Sequence, residues 1–364
     1  RHHRRSPMIS LATPQPSRCP DPTSKAVELA YLTFEHPSLE EAERFLTDFG
    51  LHVTHRADDG LWFRNTGPSP FCCVVKRAPK ARFVGLGLAV ATRQELNALS
   101  RLPEATSIEP MDTPGGGERV RLSDPAGFVV EAVHGRSEVE PLAHRAPLRL
   151  NSPATQSRIN DGQRSAVAPP ELTKLGHVVL EVPRFQDSCA WYTRHFGLLP
   201  SDVQVLPDGS PMVVFLRMDL GATPSDHHTV AIVQGFAPHF EHCAYEVVDA
   251  DAVATGQRWM QERRWHHAWG VGRHILGSQV FDYWNDLWGA KHELYSDGDV
   301  FTSDHPMGVH EVSRKAMSQW GPLMPRSFIR PELSLANLKA LARVFGRNPD
   351  VTPRTLYRLL KAMG

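Results

Sequence analysis

Leu175-Gly176-His177-Val178-Val179-Leu180-Glu181-Val182-Pro183 is an apolar run followed by a helix-like stretch that ends at Phe196-Gly197-Leu198. The same layout stands near the start of the chain. There, Tyr31-Leu32-Thr33-Phe34-Glu35-His36-Pro37 precedes an amphipathic stretch ending at Phe49-Gly50-Leu51. β-branched and aromatic residues stopped by a proline read as a strand, and a glycine after the last apolar position reads as a helix end. Ser38 and Glu41 have the spacing of a capping box at the first helix. Short strand-like stretches follow each helix, such as Leu61-Trp62-Phe63 and Met212-Val213-Val214-Phe215-Leu216. Two further units also match: Asp124-Pro125-Ala126-Gly127 leads to Glu131, and Asp286-Leu287-Trp288-Gly289 leads to Glu293. Each is a tight turn feeding a last strand. The chain therefore reads as four βαβββ units, about 27–78, 81–135, 174–236 and 238–297.

Two such units per domain give an α+β protein with two domains, each an open barrel made of two half-barrel sheets. Residues 27–136 form the first domain and 173–300 the second, joined by a linker at 137–172 rich in Pro, Arg, Ser and Asn. Residues 1–26 read as a disordered leader. Their arginine-rich opening before Met8 resembles a non-native remnant, with a transit peptide as the alternative. Residues 301–364 form an extension with helices expected near 333–346 and 352–363. Leu333, Leu335, Leu338, Leu341 and Val344 recur at helical spacing, a stripe for packing against the body or a neighbouring subunit.

Composition excludes several classes. Lys+Arg and Asp+Glu balance at 40 each, so no global field favours nucleic acid or an anionic membrane. No run has the length of a membrane span. Five scattered cysteines without a CxxC pair fit buried thiols in a reducing, cytoplasmic setting. The outlier is 19 histidines, which points to metal or proton chemistry.

Three residues stand at matching points of the repeats: His177, His242 in Phe240-Glu241-His242-Cys243-Ala244-Tyr245, and Glu293 in Lys291-His292-Glu293-Leu294-Tyr295. Alternation along a strand puts His177 on one face with Leu175 and Val179, and the helices would cover the other face. Two imidazoles and a carboxylate are the set that holds a non-haem iron(II) and leaves its other positions open. A cation there would also offset the cost of burying Glu293. In the first half Tyr31 and Gly85 take the places of the two histidines, and only Glu131 remains. One carboxylate is a poor transition-metal site, so the first domain is expected to be metal-free scaffold.

Around these lie His228 in Asp226-His227-His228-Thr229-Val230-Ala231, His274 in Gly272-Arg273-His274, and Tyr283 in Phe281-Asp282-Tyr283. With Glu293-x-Tyr295, the His-x-x-Ala run, the Gly-Arg-His and the Phe-x-Tyr stand in an order and spacing that resembles the type I extradiol catechol dioxygenases, in the vicinal oxygen chelate superfamily. The resemblance covers about 27–300, most strongly from 174 on. It implies iron(II), or manganese(II), on His177, His242 and Glu293. His228 would be the acid/base residue beside the dioxygen position, with His274 and Tyr283 bonding substrate oxygens. The partners implied are an aromatic vicinal diol and dioxygen, and the usual assembly is a homo-oligomer. His227 reads as structural, on the opposite face from His228, and His292 as facing away from Glu293.

Two other readings stay open. A glyoxalase-like isomerase or transferase would use the metal as a Lewis acid, though such sites draw a further Glu from another unit. A metal-free module that binds an aromatic compound needs neither the triad nor its surroundings. Phe185, Trp191, Met212, Phe236 and Trp284 each either line a pocket or fill the core, and one-, two- and three-ring or trihydroxylated substrates all fit.

Overall fold

The computed structural model describes residues 11–329 together with Asp350, Thr352, Arg354, Tyr357, Arg358 and Lys361. Two large mixed sheets dominate it. The first has eight strands in the order His52–Ala57, Gly60–Arg64, Cys73–Arg77, Ala26–His36, Arg82–Val90, Val129–His134, Glu118–Ser123 and Glu109–Pro110. The second runs His266–Arg273, Val280–Asn285, Lys291–Ser296, His239–Val247, Leu172–Val182, Val230–Gln234, Pro211–Arg217, Leu199–Val205 and Gly308–Glu311. In both, the opening strands of two units pair antiparallel at the centre, and each unit's last strand returns parallel to its first. This is the α+β architecture of paired βαβββ units that the repeats predict.

The register makes the duplication quantitative. His177 pairs with Ala244, and Ala244 with Glu293; Tyr31 pairs with Gly87, and Gly87 with Glu131. Gly85 and His242 each lie two positions before that central partner. The turns that deliver the two glutamates also match. Asp124 Oδ1 accepts from the N–H groups of Ala126 and Phe128, and Asp286 Oδ1 from those of Trp288 and Ala290, all at 2.8–2.9 Å.

Period-two alternation sends one set of side chains to a shared core and the other into each sheet's concavity. Leu32, Phe34, Val178 and Leu180 join one continuous apolar core that runs through both halves; Leu175, expected on the His177 face, joins it too because the register shifts between it and His177. Phe34 meets Phe240 edge-on at 5.2 Å, and Trp259 and Trp265 both donate to Asp48 of the first helix. The helices Leu39–Asp48, Phe185–Phe196 and Ala250–Glu262 supply apolar faces to that core. Phe185, Trp191 and Trp284 fill it, and none of the five aromatic or Met candidates of the sequence reading lines the second sheet's cavity.

The helix ends follow their local chemistry. Gly197 closes Phe185–Phe196 at φ 63°, the left-handed region where a Cβ is penalised. Ser38 accepts from Glu41 N, but its hydroxyl bonds the Glu40 carboxylate, so the predicted box is half made. The complete box is Thr92–Glu95. All five cysteines are free, four of them buried. Among the described residues no helix is long and apolar enough to cross a membrane. The stretch predicted helical at 333–346 lies outside the described residues; of 352–363, Arg354, Tyr357, Arg358 and Lys361 are helical.

Candidate metal centre

His177, His242 and Glu293 converge inside the concavity of the second sheet. Neighbouring strands hold them, and they are 1 %, 8 % and 0 % exposed. His177 Nε2 lies 3.1 Å from Glu293 Oε2, and His242 Nε2 lies 3.3 Å from both. Three ligands about 2.1 Å from one ion on an octahedral face stand about 3.0 Å apart, so the triangle is sized for a first-row cation. Two further observations fit that ion. Glu293 Oε1 is buried without a hydrogen-bond partner. The two imidazoles also aim the same ring nitrogen at each other, an arrangement that needs a shared cation or proton.

Electrostatics reinforce the set. Burial alone would raise Glu293, but His177, His242 and His274 hold it well below the usual carboxylate range. His242 Nδ1 bonds the Glu241 carboxylate, which also pairs with Lys291. A donated Nδ1–H leaves Nε2 as the free lone pair, the usual way a carboxylate orients a metal-binding imidazole. Burial would lower His242, yet Glu241 and Glu293 lift it to about 9. Burial would raise Glu241, but Lys291 and His242 hold it at about 2.

Two groups flank the triangle. On one side His274 Nε2 bonds the Tyr283 hydroxyl at 2.9 Å and stands 3.7 Å from Glu293 Oε1. His274 Nδ1 is 2.8 Å from the Met317 carbonyl, which fixes its proton on Nδ1 and makes Nε2 the acceptor. On the other side His228 packs on His177 with ring centroids 4.0 Å apart. Burial, then the neighbouring His177 and His227, push its pKa well below that of a free imidazole.

Comparison with known proteins brings in the chemistry. The sequence is 30 % identical over 322 positions to metapyrocatechase 2 of Cupriavidus necator, covering 82 % of this chain and 90 % of that protein. The chain belongs to the extradiol ring-cleavage dioxygenases of the vicinal oxygen chelate superfamily. No protein-family profile matches the sequence. Among solved structures, the Mn(II)-bound glyoxalase of Novosphingobium aromaticivorans superposes with a TM-score of 0.70 at 25 % identity, over 85 % of this chain and 95 % of that one. Homoprotocatechuate 2,3-dioxygenase of Arthrobacter globiformis superposes with a TM-score of 0.70 at 21 % identity, over 88 % and 94 %. Extradiol dioxygenases work with a non-haem metal, and His177, His242 and Glu293 form a group that could hold one here.

Several residues of this extradiol dioxygenase escape sequence reading. His227 does not face away from His228. Its Nδ1 is 2.9 Å from His228 Nδ1, its Nε2 is 2.7 Å from Asp202 Oδ2, and His310 Nε2 is 2.7 Å from the other Asp202 oxygen. The strand-alternation argument fails because both histidines lie in the irregular turn before Val230–Gln234. Glu241 reaches His242 for a similar reason: a register shift between Phe240 and His242 breaks the alternation. The extension, given no chemistry by the sequence, contributes Val312, Ala316, Met317, Met324 and Phe328 to the cavity wall. His292 does lie on the other face, buried against Phe45, Phe49 and Cys243. In the first half, the Tyr31 hydroxyl and Arg121 bond Glu131, and Tyr31, Trp62 and Phe71 cluster at the matching place.

Proposed function

We propose that this dioxygenase opens the ring of a catechol-type diol at a single iron(II) held by His177, His242 and Glu293. The observation that carries the reading is the triangle of ligand atoms 3.1–3.3 Å apart, flanked by His274–Tyr283 and by His228. When bound, the cation would supply a Lewis-acidic centre that acidifies the diol and links it to dioxygen. Glu241 keeps the His242 proton on Nδ1 and so holds Nε2 ready as a ligand. Tyr283 and His274 offer one hydroxyl and one imidazole nitrogen to a diol oxygen. On the far side, Asp202 accepts from His227 Nε2–H, and His227 Nδ1 shares a hydrogen bond with His228 Nδ1. That leaves His228 Nε2 as the nitrogen that takes and returns a proton, and its lowered basicity suits rapid return. The extension's apolar side chains keep water from the site.

Residues 27–136 serve as scaffold, and 173–300 as the catalytic unit, closed by the extension. Manganese(II), bound in the Novosphingobium glyoxalase, is the second candidate ion. A glyoxalase-like isomerase is disfavoured because the matching carboxylate, Glu131, is tied to Tyr31 and Arg121. A cytoplasmic homo-oligomer suits the buried thiols and the family's usual assembly. The test combines metal analysis with oxygen uptake. Glu293→Ala and His242→Ala are expected to lose metal and activity together. Full activity in metal-free Glu293→Ala protein ends the assignment.

A further inference from the structure

The cavity above the triangle is partly open to solvent and extends beyond the three ligating atoms, between the second sheet and the extension. What surrounds that space tells what fills it. Val213, Phe215 and Val233 line the wall from the second sheet, and Met317, Met324 and Phe328 line it from the extension. The polar contributions away from the triangle are two neutral amides, Gln204 and Gln279, and two acids, Glu181 and Glu241. No Lys or Arg among the described residues lines the cavity. Of the nearby cations, Lys291 lies against the wall, paired with Glu241 and over the Phe328 ring, while Arg217 is held by backbone carbonyls and Ser201, and Arg273 by Asp297 and the Ser278 carbonyl. Homoprotocatechuate, named for the Arthrobacter enzyme of the same fold, carries a carboxylate that needs a cation or several donors. Here that carboxylate would meet Glu181 and the already paired Glu241–Lys291 couple instead.

We propose that the diol accepted here carries an uncharged apolar substituent, an alkyl or aryl group seated against Met317, Met324 and Phe328, and that Glu181 turns away catechols bearing a carboxylate. Burial and the Glu241 carboxylate raise Glu181 to about 7, so at neutral pH part of it is ionised, and that form repels an anion. The apolar wall rewards a substituent in proportion to the area it removes from water. The anionic substituent loses that gain, its hydration, and any counter-charge.

This inference rests on the ring-cleavage reading, and the experiment separates the two. Anaerobic calorimetry on the iron-loaded protein gives dissociation constants for catechol, a phenyl-substituted catechol and a carboxymethyl-substituted catechol. Oxygen uptake then gives turnover for each. The phenyl compound is expected to bind at least about tenfold tighter than catechol, and the carboxylate compound at least about tenfold weaker than catechol. Phe328→Ala is expected to shrink the phenyl preference, and Glu181→Gln to relieve part of the carboxylate penalty. If the binding order holds while no diol is cleaved, the cavity assignment stands and the ring-cleavage reading falls. If diols are cleaved but the carboxylate compound binds as well as the phenyl one, ring cleavage stands and the substituent class is wrong.

Discussion

Glu241 and Asp202 are single carboxylates that act one residue away from the chemistry. Each orients an imidazole: Glu241 holds His242, and Asp202 acts through His227 on His228. Losing a carboxylate behind a ligating histidine typically costs 10–100-fold in metal affinity, so Glu241→Gln is expected to weaken iron by about that factor. Chelator-competition titration measures it, and unchanged affinity would remove Glu241 from the site. His228→Phe is expected to keep its metal and lose about 10²–10⁴-fold in kcat, the usual worth of a positioned acid/base group. Asp202→Asn should lose less than that, with KM for the diol little changed; a loss confined to KM would deny the relay. The three proposed ligands were legible because they stand at matching points of the repeats. Their supports were not legible, because a bulge and an irregular turn overrode the alternation that sequence reasoning must assume.

Strand Gly308–Glu311 is the element whose role was invisible beforehand. Four residues show no period, and its parallel partner Leu199–Val205 lies about a hundred positions away in sequence. Its docking sets His310 on Asp202 and leads directly into the segment that covers the cavity. Gly308 lets the strand approach: a Cβ there would stand 2.1 Å from Asp202 Oδ1 and 2.6 Å from His310 Nε2. Gly308→Ala is therefore expected to push Asp202 off its partners and slow turnover while iron content stays stoichiometric. Parallel metal analysis and steady-state kinetics decide it, and unaltered kcat would show that the edge strand only packs. By contrast, Ala26–His36 and Leu172–Val182 announced themselves through apolar patterning and the prolines that follow them. The order of the strands within each sheet carries no such local signal.

At the scale of the molecule, one architecture is used twice with opposite outcomes. The second concavity holds imidazoles and open space. In the first, Tyr31, Trp62 and Phe71 cluster at the matching place, and Glu131 is bonded by Tyr31 and Arg121. A side chain at Gly85 would place its Cβ 1.8 Å from the Val129 carbonyl oxygen, so the first sheet has no room for the second imidazole. One metal ion per chain is the expected stoichiometry by elemental analysis, and two would contradict the asymmetry. The two halves also meet at a titratable joint. His36 of the first sheet is 5 % exposed and stacks on Trp288 of the second half at 4.1 Å, with Asp286 3.8 Å away. Burial drives its pKa down to about 4, more than Asp286 can restore. A histidine whose folded pKa lies below its unfolded value binds its proton more readily when unfolded. Stability from His36 is thus complete above about pH 6.5 and drains as pH falls toward 4, by up to about 3 kcal/mol for a shift of this size. Denaturant unfolding at pH 7 and pH 5 should show a drop in the natural chain that is smaller in His36→Phe, which keeps the stacking and removes the titration. Equal drops in both would place the acid sensitivity elsewhere, and the joint between the halves would then be no pH-dependent weak point.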